Sequence, residues 1–182
     1  NFFLIEENLI NNETTIKPIE IKTNFIFCID VSASMGSDLR FIRKQMSNKL
    51  PSLIKEGDTL TLIWFSGKNQ AGILKEEIEV KSLTNLQELN NLIDRFLQPI
   101  GLTAFTKPLQ LTKEVIDRIK INKPNTAFSL IFLSDGYNND DSWSNVQKVM
   151  NELRDSVNSV TIVEYSQYAD SIEKLFLSIG IS

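Results

Sequence analysis

The sequence predicts an α/β fold: a doubly wound, Rossmann-like, mostly parallel sheet with one antiparallel edge strand and helices on both faces. Apolar runs of strand length recur at residues 24–30, 59–65, 128–133 and 160–164. The first three show no polar alternation, which fits strands covered on both faces. Segments with helical spacing separate these runs, and strands alternating with helices specify a parallel sheet with right-handed crossovers.

Residues 2–21 read as extended, with Pro18 favouring an edge or an irregular approach to the first central strand. Residues 1–22 are therefore taken as an N-terminal extended segment and 23–182 as the domain. After the strand at 24–30, Leu39, Ile42, Met46 and Leu50 form one apolar helical stripe. The strand at 59–65 leads through a Ser66-Gly67 turn into residues 72–80, where Ile73, Ile78 and Val80 alternate with charges. That stretch reads as the antiparallel edge strand, blunted by Lys75, Glu76, Glu77 and Glu79. A second stripe follows in Leu86, Leu89, Ile93 and Phe96, and a weaker one in Leu109, Thr112, Ile116 and Ile119. Beyond the strand at 128–133, Val146, Met150, Leu153 and Val157 give another, and beyond 160–164 a last stripe runs through Ile172, Leu175, Phe176 and Ile179.

Composition narrows the function. A chain of 182 residues with 42% hydrophobic residues can bury one proper core. The net charge of −4 and the scattered lysines argue against nucleic acid as a partner. The absence of histidine removes Ser-His-Asp and Cys-His catalysis and the usual zinc sites. The single cysteine, Cys28, sits inside an apolar run and reads as a small buried hydrophobe. No apolar run approaches the roughly 20 residues that span a bilayer, and no basic-then-apolar leader opens the chain, so membrane insertion is not expected. The compartment is left open, a cytoplasmic or virion-associated setting being the reading carried forward. Because the first residue is Asn1, the sequence is expected to be part of a longer chain or a larger assembly.

In open α/β sheets, ligands bind outside the carboxyl ends of the strands. Three loops there carry hard oxygen donors. One holds Asp30, Ser32 and Ser34, the second runs through Gly101 and Thr103, and the third is Ser134-Asp135-Gly136. Carboxylates and hydroxyls together suit a cation such as Mg²⁺. The first and third loops also have a plainer reading: Asp and Ser favour helix N-caps, and Ser-Asp-Gly is an ordinary turn; Thr103 by itself proves nothing. Asp140 and Asp141, followed by Ser142 and Trp143, read as the start of a helix rather than a second cation site.

Asp30-x-Ser32-x-Ser34 after an apolar strand, Gly101-Leu102-Thr103 in a mid-chain loop and Leu133-Ser134-Asp135-Gly136 after another strand, taken in order, resemble the von Willebrand factor A domain. Gly57-Asp58-Thr59 leading into the strand at 59–65 is similar to that family's second strand. The resemblance implies a metal-ion-dependent adhesion site. Ser32 and Ser34 would ligate Mg²⁺ (Mn²⁺ or Ca²⁺ being alternatives) through their hydroxyls, Thr103 would do so in the high-affinity arrangement, and Asp30 and Asp135 would act directly or through water. It also implies an open coordination position for the Asp or Glu carboxylate of a protein or peptide partner. Ala33 and Leu102 stand where the family often has Gly, which removes no ligand but narrows backbone freedom.

Met35, Phe105 and Tyr137 are the expected partner-contact rim, since exposed aromatics beside a site often anchor interfaces. Three functions follow. The chain is expected to be a metal-dependent protein-binding, adhesion-type module and no enzyme. The alternative is a structural module of a virion, tail or secretion assembly. A minor alternative is a Mg²⁺-dependent phosphoryl hydrolase with an Asp nucleophile, for which Ser32 stands where such enzymes want a second carboxylate.

Overall fold

The computed structural model describes residues 3–7, 14–18, 20–79, 83–136 and 138–165. The first two strands, β1 (Phe3–Glu7) and β2 (Thr14–Pro18), pair antiparallel with each other in a separate small sheet, Phe3 opposite Pro18. The extended segment thus contains a hairpin-like pair, with Pro18 at its end where a missing N–H costs little.

The main sheet contains β3 (Thr23–Asp30), β4 (Thr59–Phe65), β5 (Ala71–Ile78), β6 (Ala127–Ser134) and β7 (Ser159–Glu164) in the order β5-β4-β3-β6-β7. β3 runs parallel to β4 and β6, and β6 parallel to β7, whereas β5 lies antiparallel on β4 at the edge. β3 shows why polar alternation is missing. Ile26 and Cys28 join one core while Phe27 and Ile29 join the other, so both faces of the strand are covered.

The helices divide between those faces. α1 (Gly36–Leu53) and α2 (Leu83–Phe96) supply Leu39, Ile42, Met46, Leu89 and Ile93 to the core that holds Phe27 and Ile29. α3 (Thr106–Asn122) and α4 (Trp143–Leu153) cover the other, with Leu109, Val115, Ile116, Val146, Met150 and Leu153. The weak stripe on α3 is wholly buried, and its one polar member is satisfied: Thr112 Oγ1 donates to Pro108 O at 2.9 Å and lies 3.2 Å from Cys28 Sγ.

Two helical expectations are corrected. Phe96 is 43% exposed, and Leu97, one residue beyond α2, takes the inward place after Ile93. Val157 lies past the end of α4 and packs against the core only partly. The stripe at 172–179 lies outside the described residues. On β5 the charges thought to blunt an edge are ion-paired. Lys75 meets Glu88 at 2.7 Å, Lys123 meets Glu77 at 2.5 Å, and Arg118 meets Glu76. Such exposed pairs contribute at most about 1 kcal/mol each.

Parallel pairing places the carboxyl ends of β3, β4 and β6 along one border of the sheet. Asp30 pairs with Phe65 and Ile29 with Leu133, so the loops after these strands emerge side by side.

Candidate metal centre

Asp30 ends β3 with no exposed surface. Its Oδ1 accepts the Ser32 N–H at 2.8 Å and its Oδ2 accepts the Ser134 hydroxyl at 2.6 Å. Burial pushes its carboxyl up from 3.8 to about 6; the Ser134 and Ser32 hydrogen bonds pull the other way, and the nearby charge of Asp135 adds to the upward push. A buried carboxylate held this way is a group that a divalent cation would relieve.

Ser32 is buried and Ser34 exposed, and their Oγ atoms lie 3.1 Å apart. The turn between them is a short 3₁₀ segment, Ala33–Met35, leading directly into α1. Ser32 occupies the N-cap position of that turn yet makes no side-chain capping bond, so the plain capping reading does not account for its hydroxyl.

Thr103 comes from a loop pinned on two sides. Ile100 N–H donates to Val31 O at 2.6 Å and Ala33 N–H to Gly101 O at 3.1 Å, which ties this loop to the serine turn. Ser66 Oγ reaches Ile100 O and, at 2.9 Å, Leu102 O, while Ala104 N–H returns to Ser66 O at 2.8 Å. Gly101 has φ +66°, and a Cβ there would fall 2.8 Å from Ser66 Oγ, so both conformation and space require glycine. From the other side, Thr103 N–H donates to Asn139 Oδ1 at 2.9 Å, and the N–H groups of Asn139 and Asp140 donate to Thr103 O at 3.1 and 3.0 Å.

Asp135 follows β6, is 8% exposed and acts electrostatically on Asp30. The two later aspartates are spent on structure. Asp141 accepts the N–H groups of Thr106 and Ser142 at 2.8 and 2.7 Å, and Asp140 accepts the Lys68 N–H at 2.5 Å, just before α4 begins.

The rim expectation is overturned for two residues. Met35 and Phe105 have no exposed surface. Met35 belongs to the core under α1 and α2, and Phe105 stands edge-on to Phe65, Phe132 and Trp143 at ring distances of 5.9, 5.4 and 5.8 Å. Neither side chain reaches a partner. Tyr137 lies outside the described residues. Of the residues that hold these loops together, Ser66 carried no site signal in the sequence beyond its turn, whereas Ser134 stood in the Ser134-Asp135-Gly136 loop and Asn139 in the 138–141 run expected around the site.

Among the described residues no three His, Cys, Asp or Glu side chains converge as a metal cluster. The loops that meet at this border carry two carboxylates, Asp30 and Asp135, and three hydroxyls, Ser32, Ser34 and Thr103. That all-oxygen set fits Mg²⁺, which keeps several waters and needs few protein anions, better than zinc. In fold this is a Rossmann-like domain with oxygen-bearing loops at the carboxyl border of its sheet.

The von Willebrand factor type A domain model matches residues 24–177, and the chain belongs to that family. Among solved structures, the manganese-loaded Plasmodium vivax TRAP protein superposes with TM-score 0.63 at 18% identity, over 83% of this chain and 62% of its own. The pilus adhesin SpaC from Lactobacillus rhamnosus GG gives 0.69 at 14%, over 90% and 27%, and a von Willebrand factor type A protein from Catenulispora acidiphila gives 0.61 at 14%, over 88% and 43%. The chain thus spans less than two thirds of each of these proteins, and at such identities the likeness is one of fold. A search of curated proteins finds no match.

Proposed function

We propose that the chain is a metal-dependent protein-binding module in which Asp30, Ser32, Ser34, Thr103 and Asp135 hold Mg²⁺, or Mn²⁺ in its place, for recognition of a partner's carboxylate. The observation that carries this is Asp30: a fully buried carboxylate beside a second one, with the Ser32 and Ser34 hydroxyls on the loop that follows it. A bound Mg²⁺ would supply an electrophilic coordination position for an Asp or Glu side chain. The chain's part is to present hydroxyls where carboxylates would neutralise the ion, and to keep Asp30 dry and oriented through Ser32 N–H and Ser134 Oγ. Family membership supports binding rather than catalysis, and a manganese-loaded neighbour and an adhesin neighbour agree with it.

The test is Mn²⁺ titration followed by electron paramagnetic resonance. The intact chain is expected to take up the ion, with Mg²⁺ competing. Ser32→Ala and Asp135→Ala are each expected to weaken uptake by about tenfold or more with circular dichroism unchanged. Uptake unaffected by either substitution would sink the proposal.

A further inference from the structure

At the amino border of the sheet, the end away from the candidate metal centre, lies a groove of about 310 Å³. Lys22 and Thr23 line it on the way into β3, Thr59 at the start of β4, Glu77 on β5, and Lys123 and Asn125 in the turn after α3. One of these is held there by a distortion of the sheet. Leu60 pairs with Ile78 and Leu62 with Lys75, so Glu76 and Glu77 of β5 both stand opposite Thr61, a bulge that re-aims a side chain. In a regular strand the two glutamates would point to opposite faces. Here both reach the α3 side, Glu76 to Arg118 and Glu77 to Lys123 at 2.5 Å.

Glu77 takes φ +51° to do this, a conformation that a residue with a Cβ disfavours. Its ion pair is partly exposed, and such a pair contributes less than that backbone costs. The carboxylate is therefore placed in the groove at a net loss, which its bond to Lys123 does not explain. A second group is unsatisfied close by. Asn24 has no exposed surface, its Nδ2 donates to Thr59 Oγ1 at 2.7 Å, and its Oδ1 has no partner among the described residues. The Thr59 hydroxyl, accepting that bond, keeps its own proton to donate.

We propose that this groove binds a saccharide unit, with Glu77 accepting from its hydroxyls and Lys123, Lys22 and Thr59 donating to them. The chemistry of the lining selects that class. Lys22 meets Glu20 and Lys123 meets Glu77, each at 2.5 Å, so the charges cancel in pairs and favour neither an anion nor a cation. Pro124 is the one apolar side chain of the lining, so an apolar ligand gains little burial. A sugar hydroxyl both donates and accepts, which suits a carboxylate fixed beside an ammonium group. The groove is also preformed. Lys22 runs across Gly57, whose φ is +82° and where a Cβ would fall 2.6 Å from Lys22 Cε, and its Nζ donates to Glu56 O at 2.8 Å. Binding there needs little ordering of the protein. Its volume lies at the lower end of the roughly 300–1,000 Å³ of small-molecule sites, enough for a small ligand only.

The test follows amide shifts of the ¹⁵N-labelled full chain with glucose, galactose, mannose and N-acetylglucosamine, and with inorganic phosphate and arginine as charged probes. At least one sugar is expected to move the amides of Thr23, Thr59, Glu77 and Asn125, equally in Mg²⁺ and in EDTA, while the charged probes leave them in place. Glu77→Gly is expected to unfold at a higher temperature, since glycine adopts that backbone freely, and to bind the same sugar at least about tenfold more weakly. Lys123→Met is expected to weaken it similarly, and carries the test should Glu77→Gly fail to fold. No sugar moving these amides, or sugar shifts retained in both variants, overturns the inference. Movement by phosphate or arginine alone assigns the groove to an ion and overturns the saccharide. Neither outcome touches the metal centre at the other border.

Discussion

A carboxylate with no exposed surface depends on the donors around it, and Asp30 draws on the Ser32 N–H and on the Ser32 and Ser134 hydroxyls. Ser134→Ala removes one and leaves Oδ2 short of a partner. In EDTA this variant is expected to lose about 1 to 3 kcal/mol in urea unfolding. Cys28 shows the opposite case, a neutral group content to be buried. Burial pushes its thiol up to about 12, with only the Thr112 bond pulling it down. Since the folded value lies above the ordinary 9.0, its stabilising contribution is complete below pH 9 and is lost as pH rises toward 12. Iodoacetamide is expected to leave Cys28 unlabelled at pH 8 in the native protein and to label it fully in urea. Phe105 was the residue least legible in the sequence. Its burial depends on the loop turning inward, which Ala104 N–H enforces by donating to Ser66 O, a residue far away in the chain. Phe105→Ala is therefore expected to cost about 3 to 5 kcal/mol of stability, as core aromatics do.

Elements built from local chemistry were readable in advance. The apolar runs at 24–30 and 128–133 became β3 and β6 with at most one added residue at an end, because a strand covered on both faces needs apolar side chains throughout. The three oxygen-bearing loops were readable for the same reason, since each carries its donors within a few residues. What escaped was everything joining distant segments: the pairing of β1 with β2, the switch from Phe96 to Leu97, and the clasp that Asn139 closes on Thr103. That clasp is testable. Asn139→Ala removes the acceptor of Thr103 N–H, and faster hydrogen exchange at that amide is expected in the metal-free protein, with Mn²⁺ affinity lowered about tenfold. Asn139→Asp retains an acceptor oxygen, so restored protection of the same amide is expected.

In the molecule as a whole, the parallel sheet collects its chemistry at one border. The donors there come from three separate loops, so a cation that joins them binds the folded chain and not the unfolded one. At about a hundredfold excess over its dissociation constant, such binding adds about 2.7 kcal/mol of stability. Thermal unfolding in Mn²⁺ is expected to shift upward and to return to the metal-free midpoint with EDTA. The central position of β3 has a mechanical consequence. A partner gripping the turn after Asp30 and a tether pulling on the chain before Thr23 would load one strand along its length. That strand is bonded residue by residue to β4 on one side and β6 on the other. Tension would meet those bonds together, in shear, instead of peeling them one at a time.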